Sequence, residues 1–146
     1  MCLMAKSSGD VQIDHQILLQ PVVDFTLSFL SINMPTSECL VPRGDLAWYY
    51  EQYYGADNNL KDPKVSPIFA DDLSNSPPAL IITAEYDTLR DEGKAYANKL
   101  RNSGVETRYT CYDGMIHGFL QMAGLVKEAQ AAINEISQTI RPYNTP

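Results

Sequence analysis

Positive charge is in short supply in this chain. Eleven Lys and Arg stand against eighteen Asp and Glu, and the net charge is −7 over 146 residues. That balance argues against a nucleic acid or other polyanion as partner. Histidine is scarcer still: His15 and His117 are the only two, too few for a multi-histidine metal site. The three cysteines, Cys2, Cys39 and Cys111, form no C-x-x-C pair and no ligand-type spacing. Neither a disulfide framework nor a metal cluster is expected, and Cys2 and Cys111 read as small core residues. No apolar run approaches the roughly 20 residues that span a bilayer. The first residues, Met1–Lys6, lack a basic stretch followed by a sustained apolar core, so they are not a signal peptide. G-x-G-x-x-G and the P-loop pattern are both absent, which weighs against a nucleotide-binding domain. Together these absences predict a cytoplasmic chain with no membrane span and no nucleic-acid partner, a leader on a longer chain apart.

Apolar residues make up 45% of the sequence, enough to build the core of one domain. Residues 1–7 read as the last turns of a helix, stopped by Ser7-Ser8-Gly9-Asp10. The run His15–Gln20 (HQILLQ), closed by Pro21, reads as a buried strand. Residues 21–42 hold Pro21, Pro35 and Pro42 and read as irregular, whereas Arg43–Tyr54 is expected to be helical. Residues 55–78 form a second loop region, broken by Asp62-Pro63, Ser66-Pro67 and Pro77-Pro78.

The second half is more regular. Ala79–Ala84 (ALIITA) is an unbroken apolar run, expected as a buried parallel strand. A helix follows from Leu89 to Asn102, with Leu89, Gly93, Tyr96, Ala97 and Leu100 on one face and Gly104 at its end. Val105–Cys111 is the next strand. From Gln121 to Ile140, a stripe of Met122, Leu125, Val126, Ala129, Ile133, Ile136 and Ile140 predicts the last helix. Strands alternating with helices imply an α/β fold, with parallel strands and right-handed crossovers.

Chemistry gathers at two strand ends. In open α/β sheets, ligands bind outside the C-terminal ends of the strands. Asp87 stands just beyond ALIITAE, and His117 lies in a glycine-flanked loop after the following strand. Adjacent parallel strands would bring both to one rim. A carboxylate there can accept the Nδ1 proton of an imidazole, leaving Nε2 as general base and acid. Gly114 and Gly118 would let the loop bend and bring the ring forward. The acid-then-histidine order matches the last two members of a Ser…Asp…His triad. Each residue also has a plainer reading. Asp87 can cap the helix beginning at Leu89, and a single loop histidine is commonly just solvated. Asp91 and Glu92 stand close enough to be alternative acids.

The segments Pro77–Gly93 (PPALIITAEYDTLRDEG) and Tyr112–Phe119 (YDGMIHGF) resemble the hormone-sensitive-lipase-like branch of the α/β-hydrolase family, which includes many carboxylesterases. The likeness extends over essentially the whole chain. Asp62-Pro63…Ser66-Pro67 is similar to a family loop, and the helix holding Trp48-Tyr49-Tyr50 has a counterpart. Leu19-Gln20-Pro21-Val22-Val23-Asp24 is similar to the family's Y-P-V segment, with Gln20 in place of the usual Tyr.

By carry-over, Asp87 is the triad acid and His117 the triad base, and Asp91 instead favours the helix N-terminus. The resemblance implies a partial α/β-hydrolase domain over 1–146: the C-terminal part of the sheet, three parallel strands with flanking helices. The family's serine sits in a G-x-S-x-G elbow, and no serine here has that setting; an H-G-G oxyanion loop is missing as well. The expectation is therefore the C-terminal half of a serine carboxylic-ester hydrolase acting on small acyl esters, with no metal or organic cofactor. Alone it should be inactive. The competing expectation is a truncated homologue that only binds or interacts, prone to self-association through an exposed sheet edge. The aromatic group Trp48, Tyr49, Tyr50, Tyr53 and Tyr54 reads either as packing or as the lining of an acyl or alcohol pocket. His15 reads as structural.

Overall fold

The computed structural model describes residues 2–54 and 59–141. Met1, expected in the first helix, and residues 55–58, expected in a loop, lie outside the described residues. Three strands form one parallel sheet in the order β1-β2-β3: β1 (Gln16–Leu19), β2 (Ala79–Tyr86) and β3 (Thr107–Ile116). Among the described residues four α-helices accompany them: α1 (Cys2–Ser8), α2 (Arg43–Tyr54), α3 (Arg90–Asn102) and α4 (Lys127–Ile140).

The central strand shows why an unbroken apolar run was needed. Every residue of β2 from Ala79 to Ala84 is buried. Alternate side chains leave opposite faces of a strand. Ala79 and Ile81 therefore pack with Tyr96, Ala97 and Leu100 of α3, while Leu80, Ile82 and Ala84 pack with Phe119 and with Ala129 and Ala132 of α4. Helices cover both faces, as parallel sheets require. A third cluster joins Leu46 and Tyr50, one turn apart on α2, to Ile32 and Leu89. It seats the segment between β1 and β2 against the start of α3. Only these two residues of α2 are buried; Trp48, Tyr49 and Tyr53 are exposed.

The expected elements are present, with shifted ends, but β1, expected to be buried, is covered only in part: of its four residues Gln16 alone is buried and Leu19 is exposed. β2 runs two residues beyond Ala84. β3 starts at Thr107 and reaches Ile116, so Tyr112–Ile116 belongs to a strand rather than to a loop. The apolar stripe from Gln121 is split. Phe119–Met122 is a 3₁₀ turn, the chain bends over 123–125, and α4 begins at Lys127. Helical spacing of apolar residues marks which side faces the core, and a turn followed by a helix satisfies it equally well. Cys2 and Cys111 are half-buried rather than core residues, and all three thiols are free.

Candidate active site

The C-terminal ends of β1, β2 and β3 share one rim, and each contributes one side chain to it. Asp87 follows β2 directly and is fully buried. Its Oδ1 accepts the Leu89 amide at 3.0 Å, and its Oδ2 meets His117 Nδ1 at 2.9 Å. Neither plainer reading of the sequence holds: α3 has Leu89 at its N-cap with no side-chain cap bond, so one Asp87 oxygen only shapes the turn ahead of the helix, and the other holds an imidazole that is therefore not merely solvated. The His117 side chain keeps 28% of its surface exposed. With Nδ1 engaged by Asp87, Nε2 is the ring nitrogen left for another partner.

This meeting depends on an irregularity between β2 and β3. Ala84 pairs with Tyr112, but Tyr86 pairs with Ile116. Two extra residues of β3 are accommodated across that step. Without them, straight pairing would set Asp87 opposite Met115; with them, Asp87 comes level with His117. Bulges re-aim side chains in this way and recur beside active sites. Gly114 supports it with a left-handed φ of +73°, and its N–H donates to Glu85 Oε2 at 2.7 Å. Gly118, immediately after the histidine, has a φ of +77° and turns the chain out of the strand. Glycine adopts these angles without steric cost.

The other acids are otherwise employed. Asp91 accepts from Arg90 Nε at 2.9 Å and from the Ser31 amide at 2.9 Å. Glu92 is 1% exposed, and its Oε1 accepts the amides of Val23 and Asp24 at 2.7 and 3.1 Å. Burial raises its carboxyl to about 8, against the two amide bonds that pull it down. Asp24 is buried too. Burial alone would raise its carboxyl, but bonds from the side chains and amides of Ser28 and Thr26 outweigh that and hold it below the ordinary range. Of the three acids weighed from sequence, only Asp87 reaches His117. His15 stands ahead of β1, at the opposite end of the sheet, and burial lowers its imidazole.

One contributor stands in the sequence only as a departure from a motif. Gln20, 7% exposed at the end of β1, accepts the Gly118 amide on Oε1 at 2.7 Å and donates from Nε2 to the Ile116 carbonyl at 3.1 Å. It thus holds the residues on both sides of His117. Among the aromatic residues, Tyr50 is buried against Phe25, with ring centroids 4.2 Å apart. Trp48, Tyr49 and Tyr53 are 57%, 56% and 75% exposed. Among the described residues, no three His, Cys, Asp or Glu side chains gather as a metal site, and no helix is long and apolar enough to cross a membrane.

The chain has clear relatives. The family model described as the alpha/beta hydrolase fold matches residues 1–121. A carboxylic ester hydrolase of Mycobacterium tuberculosis, LipN, is 36% identical over 129 residues, covering 88% of this chain and 34% of its own. An ethyl acetate hydrolase of Pseudomonas putida is 31% identical, covering 88% of this chain and 40% of its own. An esterase of Pyrobaculum calidifontis superposes with a TM-score of 0.90 at 36% identity, over 99% of this chain and 48% of that structure. The chain spans less than half the length of each of these relatives.

Proposed function

This chain belongs to the alpha/beta hydrolase fold family, and on that premise we propose that it supplies the acid and base of a serine carboxylic-ester hydrolase. Asp87 is the acid and His117 the base. The contact between Asp87 Oδ2 and His117 Nδ1 at 2.9 Å is the observation that carries this reading. The buried carboxylate accepts the Nδ1 proton and selects the tautomer with a free Nε2 lone pair. Nε2 takes the hydroxyl proton of a serine as its Oγ attacks the ester carbonyl. The protonated ring then returns that proton to the departing alkoxide. Water, deprotonated by the same Nε2, releases the acid from the acyl-enzyme. The nucleophile and oxyanion donors come from polypeptide outside residues 1–146, which form part of the domain. Substrates of this reading are small, uncharged acyl esters. The reaction calls for no metal or organic cofactor.

The test joins this chain to the part of the Pyrobaculum esterase that precedes its matching half. The expected outcome is hydrolysis of p-nitrophenyl butyrate that falls by about 10⁴-fold in His117→Ala and in Asp87→Asn. A joined enzyme that turns over and keeps its rate within ten-fold in His117→Ala would overturn the assignment. The 146-residue chain alone is expected to show no turnover above background. Clear hydrolysis by it, abolished in His117→Ala, would mean that a nucleophile lies within these residues.

A further inference from the structure

We propose that Gln20 is a positioning residue that fixes the His117 imidazole against Asp87 by clasping the peptides on either side of it. The proposal rests on the Asp87–His117 reading and extends it to the third strand of the rim. His117 is not anchored by regular pairing. It follows the last residue of β3 and precedes a left-handed glycine, so it stands where the regular β2–β3 pairing stops. The Ile116 carbonyl and the Gly118 amide bond one side chain instead, at 3.1 and 2.7 Å. A primary amide suits this geometry because it carries a donor and an acceptor on one rigid plane.

Two further observations support the assignment. Gln20 has a φ of +47°, a left-handed angle in a residue that precedes Pro21, where the chain favours extended backbone. Such angles persist where surrounding contacts enforce them, and they cluster at functional sites. The contacts are present: the Gln20 amide donates to the Ile82 carbonyl at 2.7 Å, extending the β1–β2 pairing by one bond and aiming the side chain at the β3 terminus. One residue thus ties all three strands to the position of a single imidazole.

The chain itself has an internal control. Gln16 opens the same strand, is 6% exposed, and donates from Nε2 to the Pro77 carbonyl at 2.8 Å, at the far end from His117. The experiment is long-range ¹H–¹⁵N spectroscopy of the full chain labelled on histidine, with His117 assigned by its absence from His117→Ala. Unaltered protein is expected to show one His117 tautomer with a slowly exchanging Nδ1 proton. Gln20→Met, which keeps length but loses both bonds, is expected to speed that exchange by at least about ten-fold and to mix the tautomers. Gln16→Met is expected to lower the melting temperature while leaving the His117 signals unchanged. Exchange in Gln20→Met within two-fold of the unaltered chain overturns the proposal, and so does an equal change in Gln16→Met.

Should Gln20→Met fail to fold, the unaltered chain decides. Protected Gly118 and Gln20 side-chain amide protons support the clasp, and solvent-like exchange of both overturns it. An unaltered chain with mixed His117 tautomers overturns the Asp87–His117 pair, and the proposal with it. An ordered pair in both Gln20→Met and the unaltered chain overturns only the clasp.

Discussion

Glu92 is a buried acid next to the candidate site. It is a carboxyl buried among backbone amides and beside Asp24 and Asp87, and burial lifts it to about 8. An acid raised on folding binds its proton more tightly in the native state than in the unfolded one. Stability is therefore undiminished below the unfolded value of about 4.5 and falls as pH climbs toward about 8. The loss over that window is roughly 3–5 kcal/mol. Asp24 acts oppositely. Its depressed carboxyl contributes stability above the ordinary aspartate range that is lost as pH falls through the native value. Glu92→Gln keeps the acceptor for the Val23 and Asp24 amides but cannot ionise. Urea unfolding at pH 5 and pH 8 is expected to show a clear drop for the unaltered chain and almost none for Glu92→Gln. Parallel pH profiles for the two proteins would contradict this account.

At the scale of elements, the site depends on how tightly α3 lies on β2. A Cβ added at Gly93 would stand 2.7 Å from Thr83 Cγ2. Thr83 cannot give way easily. It is β-branched and buried, and its hydroxyl bonds Tyr109 OH at 2.9 Å. Gly93→Ala is expected to destabilise by about 1–3 kcal/mol, read as a lower urea midpoint at constant slope. A midpoint equal to that of the unaltered chain would show that the helix shifts freely. On the other face, Glu135 of α4 accepts from Thr110 Oγ1 and Tyr112 OH at 2.7 and 2.9 Å and pairs with Arg108 Nε at 2.9 Å. These bonds all land on β3 just before its irregular step, and so they steady the strand that leads into His117.

For the molecule as a whole, the sheet has two open edges among the described residues. β1 pairs only with β2, and β3 pairs only with β2. β1 is short and carries no charge along Gln16–Leu19, with Leu19 43% exposed. Met4, Val11 and Leu30 add exposed apolar surface elsewhere in the N-terminal third. Unprotected edges pair with further strands unless charge or covering chain prevents it. The isolated chain is expected to sediment as concentration-dependent oligomers at tens of micromolar. Leu19→Lys, which sets a charge on that edge, is expected to shift it toward monomer. A monomer at every concentration would show that the edge is protected in solution.

Much of this was legible in the residues themselves. The run Ala79–Ala84 had to be a buried strand, because six successive side chains with almost no polarity can be satisfied only by cover on both faces. The 13 residues of α3 announced themselves by a one-sided stripe, and Asp87 and His117 by standing after successive strands. Parallel order then set them on one rim. Other features needed the tertiary structure. Whether Asp87, Asp91 or Glu92 met the imidazole depended on the tertiary structure, and Asp87 came level with it through two extra residues of β3 taken up between Tyr112 and Ile116. The role of Gln20 rested on bonds to residues 96 and 98 positions away. Local sequence holds no trace of such pairings, because they arise only when three strand ends converge.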